Sequence, residues 1–176
     1  MALDEMVVVV VAGATRLVVD DIPLVLVVVE LVEVVNGELS GSKSVLFQAQ
    51  KTGTSKTWIA AKSGQWKWLK GIKEASEPRN EWQKQDFSDA PWTTGTAPFG
   101  YGREGVQTAL NDMRGNYTTV YLRHEIELDS PDSMGSLQFH TTYDDGFAIW
   151  INEFELARIG LPTGELPFNG RASESD

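Results

Sequence analysis

Residues 117–128 read YTTVYLRHEIEL. Val120, Leu122, His124, Ile126 and Leu128 alternate with Tyr121, Arg123, Glu125 and Glu127, the period of two that belongs to a strand with one buried and one wet face. On that pattern His124 points inward as a hydrogen-bonded core residue, and Arg123 faces water. After Ser130-Pro131-Asp132 the alternation returns in Leu137, Phe139, Thr141 and Tyr143. The turn residues Asp144-Asp145-Gly146 follow, then a third strand from Phe147 to Ile151. Asn152-Glu153 reverse the chain into Phe154 to Arg158. Four short strands with short connections predict an antiparallel β-meander, the pattern of a sandwich or barrel.

Upstream the pattern loosens. Trp58 to Ala61 and Gln65 to Leu69 read as two strands joined by a Ser63-Gly64 turn. Residues 77–105 carry Pro78, Pro91 and Pro98 with glycines at 95, 100, 102 and 105, which excludes long helices and central strands there. Brief helical turns are expected only near Glu81 to Gln85 and Gln107 to Met113. Residues 37–57, rich in Gly, Ser, Thr and Lys, read as a linker or loose hairpin in which Val45 to Phe47 is a short strand. Residues 1–36 are crowded with valine. Arg16, Asp20, Asp21, Glu30 and Glu33 cut this segment into apolar runs too short for the roughly 20 residues of a spanning helix, so no membrane span is expected. No basic residue precedes the first apolar run, which argues against a secretory signal. Valine is stiff and favours strands, so Val7 to Val11 and Leu24 to Val29 read as buried or self-associating β segments. The segment is equally readable as the tail of a preceding domain. The organisation expected is therefore 1–36, β-prone and of open role, then 37–57, then a sandwich over 58–176.

Charge and residue types exclude several functions. Acidic residues outnumber basic ones 25 to 15, for a net charge of −10, which disfavours nucleic acid as a partner. The absence of cysteine excludes a disulfide framework, a thiolate metal site and a cysteine nucleophile. His124 and His140 fall on opposite strand faces and do not converge on one metal ion. Residues 100–105, GYGREG, match GxGxxG literally, but Pro98 precedes them and strands follow, so they read as a glycine loop with Tyr101 packing on the domain. No serine lies in a GxSxG elbow. Asp144 and Asp145 could lend oxygens to a structural Ca²⁺, or could simply hydrogen-bond turn amides while Gly146 supplies a positive φ.

One resemblance spans roughly Trp58 to Asn169. Trp66-Lys67-Trp68-Leu69-Lys70-Gly71, Glu77-Pro78, Trp82, Asp86-Phe87-Ser88-Asp89 and Trp92 come first. The glycine-rich Ala97 to Gly102 follows, then Asn116 to His124, and Tyr143 to Asn152. Together they resemble the jelly-roll, galactose-binding-like accessory modules of large secreted bacterial proteins. The resemblance implies a β-sandwich appended to a hydrolase, phosphoesterase or surface protein, extracellular or at the cell surface, with carbohydrate or a neighbouring domain as partner and no catalytic set. Relative to that pattern the sandwich is expected to be incomplete at its C-terminal end. Where the family places Asn-Gly, this chain has Asn152-Glu153, which predicts a different turn type.

Tryptophan carries the functional argument, because indole faces stack on sugar C–H patches. Trp66, Trp68, Trp82 and Trp92 are each expected in the core. Trp150 is expected on the outer face beside Asp144, Asp145, Asn152 and Arg158, and these five are the candidate ligand-binding residues. No catalytic residue is expected, and no cofactor beyond the calcium option.

Overall fold

In the computed structural model of the chain, residues 7–14, 26–35, 38–46, 65–102, 104–126, 136–143 and 146–172 are described, with 7–14, 26–35, 38–46, 126 and 136–142 by backbone alone. Their regular structure is β1 (Val7–Ala14), β2 (Leu26–Val35), β3 (Glu38–Leu46), β4 (Gln65–Lys70), a 3-10 turn (Glu81–Gln83), β5 (Thr93–Thr96), β6 (Phe99–Gly100), β7 (Thr108–Ala109), β8 (Thr119–Ile126), β9 (Ser136–Tyr143), β10 (Gly146–Ile151) and β11 (Phe154–Ile159). The chain is all-β. Among the described residues no helix is long and apolar enough to cross a membrane. The strand expected at Trp58 to Ala61, the Ser130 to Asp132 turn, Asp144 and Asp145 lie outside the described residues, as does the side chain of His140.

Six strands form one sheet in the order β11-β10-β1-β8-β4-β5, three form a second as β3-β2-β9, and β6 pairs with β7. The ladders β10–β11, β4–β5, β4–β8 and β2–β3 are antiparallel. Those of β1 with β8 and β10, of β2 with β9, and of β6 with β7 are parallel, so the sheets are mixed. Of the meander expected over 117–158 only the β10–β11 pairing forms: β9 joins the second sheet and β1 stands between β8 and β10, because alternation marks a strand without choosing its neighbour. The valine run, whose role the sequence leaves open, thus supplies a central strand. This suits it, because parallel strands covered on both faces read as continuous apolar runs without alternation. In the region read as a linker or loose hairpin, β3 is a nine-residue strand. At the end of its ladder with β2, Glu38 pairs with Val35.

Both faces of the six-stranded sheet are covered, which corrects the one-sided reading of β8. Val120 and Leu122 join Trp66, Leu110, Met113, Tyr117, Tyr143, Phe147 and Ile149 in one core, with Trp68, Phe99 and Tyr101 packed against it. Tyr121 joins Trp82, Trp92, Ala148, Trp150 and Ala172 in the other. Arg123, expected in water, is 2% exposed. Its Nε donates to Asp89 Oδ2 at 3.1 Å and its Nη1 to the carbonyls of Trp82 and of Lys84, the latter at 3.1 Å. The guanidinium also lies 5.3 Å from the Phe87 ring centre. The irregular 82–89 segment is thereby held onto the sheet. His124, expected in the core, is only half-buried at the sheet's end, with Nδ1 2.7 Å from the Gln65 carbonyl and its ring beside Trp66.

Local irregularities aim the remaining side chains. The helical turn expected at Glu81 is present as 3-10. The one expected at 107–113 gives way to β7 followed by a turn closed by Met113 N–H on the Leu110 carbonyl. Asn152 takes φ +44° at the head of the β10–β11 turn and is the only described non-glycine residue with a positive φ. The I′ form would need a positive φ at Glu153 as well, so the turn type does differ. In the same hairpin Ile149 pairs with Ala157 but Trp150 with Glu155, leaving Leu156 as a bulge residue. Three residues apart, Glu155 and Arg158 would otherwise face opposite ways. The bulge puts both on the face of Ala148 and Trp150.

Candidate functional site

On the Tyr121 face of the large sheet lies a cleft of about 390 Å³. Its floor is Thr119 and Tyr121 from β8, Trp150 from β10, and Glu155 and Arg158 from β11. One wall is the turn from Arg79 to Gln83. The other is the irregular tail from Leu161 to Arg171, whose Leu161, Leu166 and Phe168 pack against the second core.

Each wall is anchored by polar bonds suited to segments without a ladder of their own. The Ser76 hydroxyl accepts the Trp82 N–H at 3.0 Å and lies 2.7 Å from the Pro78 carbonyl, to which it donates. This fixes Trp82 edge-on to Tyr121 and Trp150, with ring centres 4.9 Å and 5.8 Å away. The tail is tied down where Thr118 Oγ1 donates to the Gly170 carbonyl at 2.8 Å. Arg79 Nη1 donates to Glu165 Oε2 at 2.7 Å, joining turn to tail.

Arg158, chosen from sequence as a ligand contact, has most of its donors committed. Nε and Nη2 grip both Glu155 oxygens at 2.7 Å and 2.6 Å, and Nη1 bonds the carbonyls of Pro162 and Gly164. It is a clamp that shapes the tail. Trp150, expected on a wet outer face, is 5% exposed because the turn and the tail cover that face. Only its edge of the cleft remains for a ligand. Trp150 and Arg158 do share one site, while Asn152 is in the turn beyond it and is not among the lining residues. Asp144 and Asp145 lie outside the described residues.

Sequence reasoning did not pick Thr119, Arg79 or Tyr121. Thr119 is 2% exposed, lines the cleft, and its Oγ1 has no hydrogen-bond partner. Buried hydroxyls are nearly always satisfied, and leaving one unmet costs about 1–3 kcal/mol. Arg79 Nε is also buried. It sits 3.1 Å from Glu74 Oε1, close enough for an ion pair but not aligned for a hydrogen bond. Burial pushes the Tyr121 hydroxyl well above its ordinary pKa, with the Glu74 charge adding to the shift, so it stays protonated. The floor is therefore built on neutral hydroxyl-bearing side chains, closely packed beside aromatic edges. Two of the three carboxylates that line the cleft are paired, Glu155 with Arg158 and Glu165 with Arg79, and the third, Glu153, sits at the β10–β11 turn.

Comparison of the chain with protein-family models, with curated proteins and with solved structures returns no match.

Proposed function

We propose that this chain is a non-catalytic, carbohydrate-binding accessory module of the jelly-roll, galactose-binding-like kind, belonging to a larger extracellular or cell-surface protein. The observation that carries the reading is the buried, unpartnered Thr119 hydroxyl beneath a cleft floored by the edges of Tyr121 and Trp150. A hydroxyl-rich ring satisfies such a group in either direction once the turn and the tail part enough to expose it, and its C–H patches then meet the aromatic edges beside it. Acid–base chemistry is disfavoured because two of the lining carboxylates are held in ion pairs, and general catalysis needs a carboxyl able to give or take a proton at the reacting atom.

The test is a glycan-array screen of the full chain, followed by titration calorimetry with Thr119→Val. The isosteric change removes one hydrogen bond to the ligand, worth about 1–1.5 kcal/mol, so affinity falls roughly ten-fold, while the unfolding midpoint of the free chain rises because an unmet buried hydroxyl is gone. No glycan bound, or binding untouched by Thr119→Val, overturns the reading. A second reading, a structural brace, is favoured by Phe154, 56% exposed beside the tip of the β10–β11 hairpin. A brace leaves every glycan unbound and docks on a neighbouring domain of the same polypeptide, and Phe154→Glu then releases that contact while Thr119→Val is silent.

A further inference from the structure

The large sheet is joined at its middle by a strand from a distant part of the chain. β8 and β10 run in the same direction and share no ladder. β1 fills the space between them, parallel to both, from Val7 level with Thr119 and Gly146 to Ala12 level with His124 and Ile151. Without β1 the sheet parts into a β10–β11 hairpin and a β8-β4-β5 unit. Within this sheet only the two ladders of β1 are parallel, and parallel pairing is slightly weaker per residue.

The residues of β1 suit a strand that can leave and re-enter. Its sequence, VVVVVAGA, has no charge and no proline. Five successive valines present the same pattern after a shift of one residue or two, so side chains specify its register weakly. Their β propensity and lack of charge make the run associate with any open strand edge. β2, the next strand, belongs to the other sheet. Residues 15–25 connect the two, and eleven residues reach up to about 40 Å when extended.

We propose that β1 is exchanged between copies of this chain, each copy placing its β1 in the β8–β10 slot of the other to form a reciprocal dimer. Every ladder in that dimer already exists within one chain, so the exchange costs little beyond lost translational freedom, and concentration decides the balance. The pairing is reciprocal, so it closes at two copies and leaves neither slot open. With a net charge of −10 on each copy, the dimer also gains from added salt, which screens their repulsion.

The chain has no cysteine, so introduced thiols report the strand's location cleanly. Ala12 lies level with His124, and neighbouring strands about 4.8 Å apart are within disulfide reach. Two full-length pools, Ala12→Cys with a large tag and His124→Cys with a small one, are mixed at high concentration and oxidised. The expected result is a covalent species carrying both tags in excess over the two same-tag species. The doubly substituted chain is expected to give disulfide-linked dimers whose share rises with concentration. Internally linked monomers at every concentration overturn the proposal, and so does the absence of any cross-link, because β1 would then not occupy the slot. Light scattering on the unsubstituted chain is an independent check. A dimer fraction growing with concentration and salt is expected, and a monomer throughout is the opposing result.

Discussion

Replacing Arg123 with methionine tests whether the second layer on the sheet is held by one buried cation. Methionine keeps much of the side-chain bulk and removes the charge. The structure then leaves the Asp89 carboxylate, 17% exposed, without its partner and the Trp82 and Lys84 carbonyls without their donor. Removing one partner of a buried ion pair costs about 3–5 kcal/mol, and each orphaned buried carbonyl adds about 1–3 if it stays buried. The 82–89 segment is irregular, so it lifts and rehydrates rather than keep those groups dry, and the expected total stays near 3–5 kcal/mol. For a chain of this length that is a fall in Tm of roughly 6–20 °C. Urea titration followed by tryptophan fluorescence reports both effects, because Trp82 is in the segment that lifts and Trp92 stacks on it, so their emission should shift to the red before the global transition. Asp89→Asn alone, and together with Arg123→Met, completes a double-mutant cycle whose coupling is expected at about 1.5 kcal/mol or more. A loss under about 1 kcal/mol for Arg123→Met, or a coupling near zero, would refute the clamp.

Gly71→Ala should destabilise by about 1–3 kcal/mol, read by the same urea titration, because an added Cβ would lie 2.6 Å from Thr119 Cβ and 2.7 Å from the Thr119 carbonyl oxygen, a backbone atom that cannot swing aside. A neutral result would show that the start of β8 is looser than described. Asp112 accepts from Lys70 and, at 3.1 Å, from the Tyr117 hydroxyl, and the Lys70 bond holds its carboxyl below the ordinary value of 3.8. The folded form is then the weaker proton binder. Its contribution is complete above about pH 4 and is lost as pH falls through the depressed value. The urea midpoint of the native chain should exceed that of Asp112→Asn at pH 7 and converge with it as pH falls through the depressed value, and a gap that does not narrow in acid would contradict the assignment.

That β8 to β11 are strands was legible from alternation alone, since each is a local pattern that repeats every two residues, but the meander expected of them was not formed: only β10 and β11 pair, because which strand lies beside which is not written in a local period. The irregular course of 77–105 was equally legible, because proline and glycine remove the donors and the conformational restriction that regular structure needs. The same alternation misplaced Arg123, Trp150 and His124. It assumes one buried face per strand, and here a loop and a tail cover the other over Arg123 and Trp150, while His124, on the face expected to be buried, falls outside the first core and is half-buried beside Trp66. Arg123 reads as a surface residue because burying a cation is costly. The groups that offset that cost include two backbone carbonyls, from Trp82 and Lys84, and no residue type announces a carbonyl.

The site followed the same division. Aromatic richness drew attention to Trp150, and the cleft does include it. Thr119, Arg79 and Tyr121 could not be chosen from sequence, because what distinguishes them is burial, closeness and an unmet hydrogen bond, all of which arise when a turn and a tail close over the sheet. The sequence by itself determined that this is an all-β chain with a strand-forming valine run at its start. Only the tertiary structure decided that this run lies at the sheet's centre, because a uniform apolar strand specifies β structure without specifying a neighbour, and its neighbours more than a hundred residues away become adjacent only on folding.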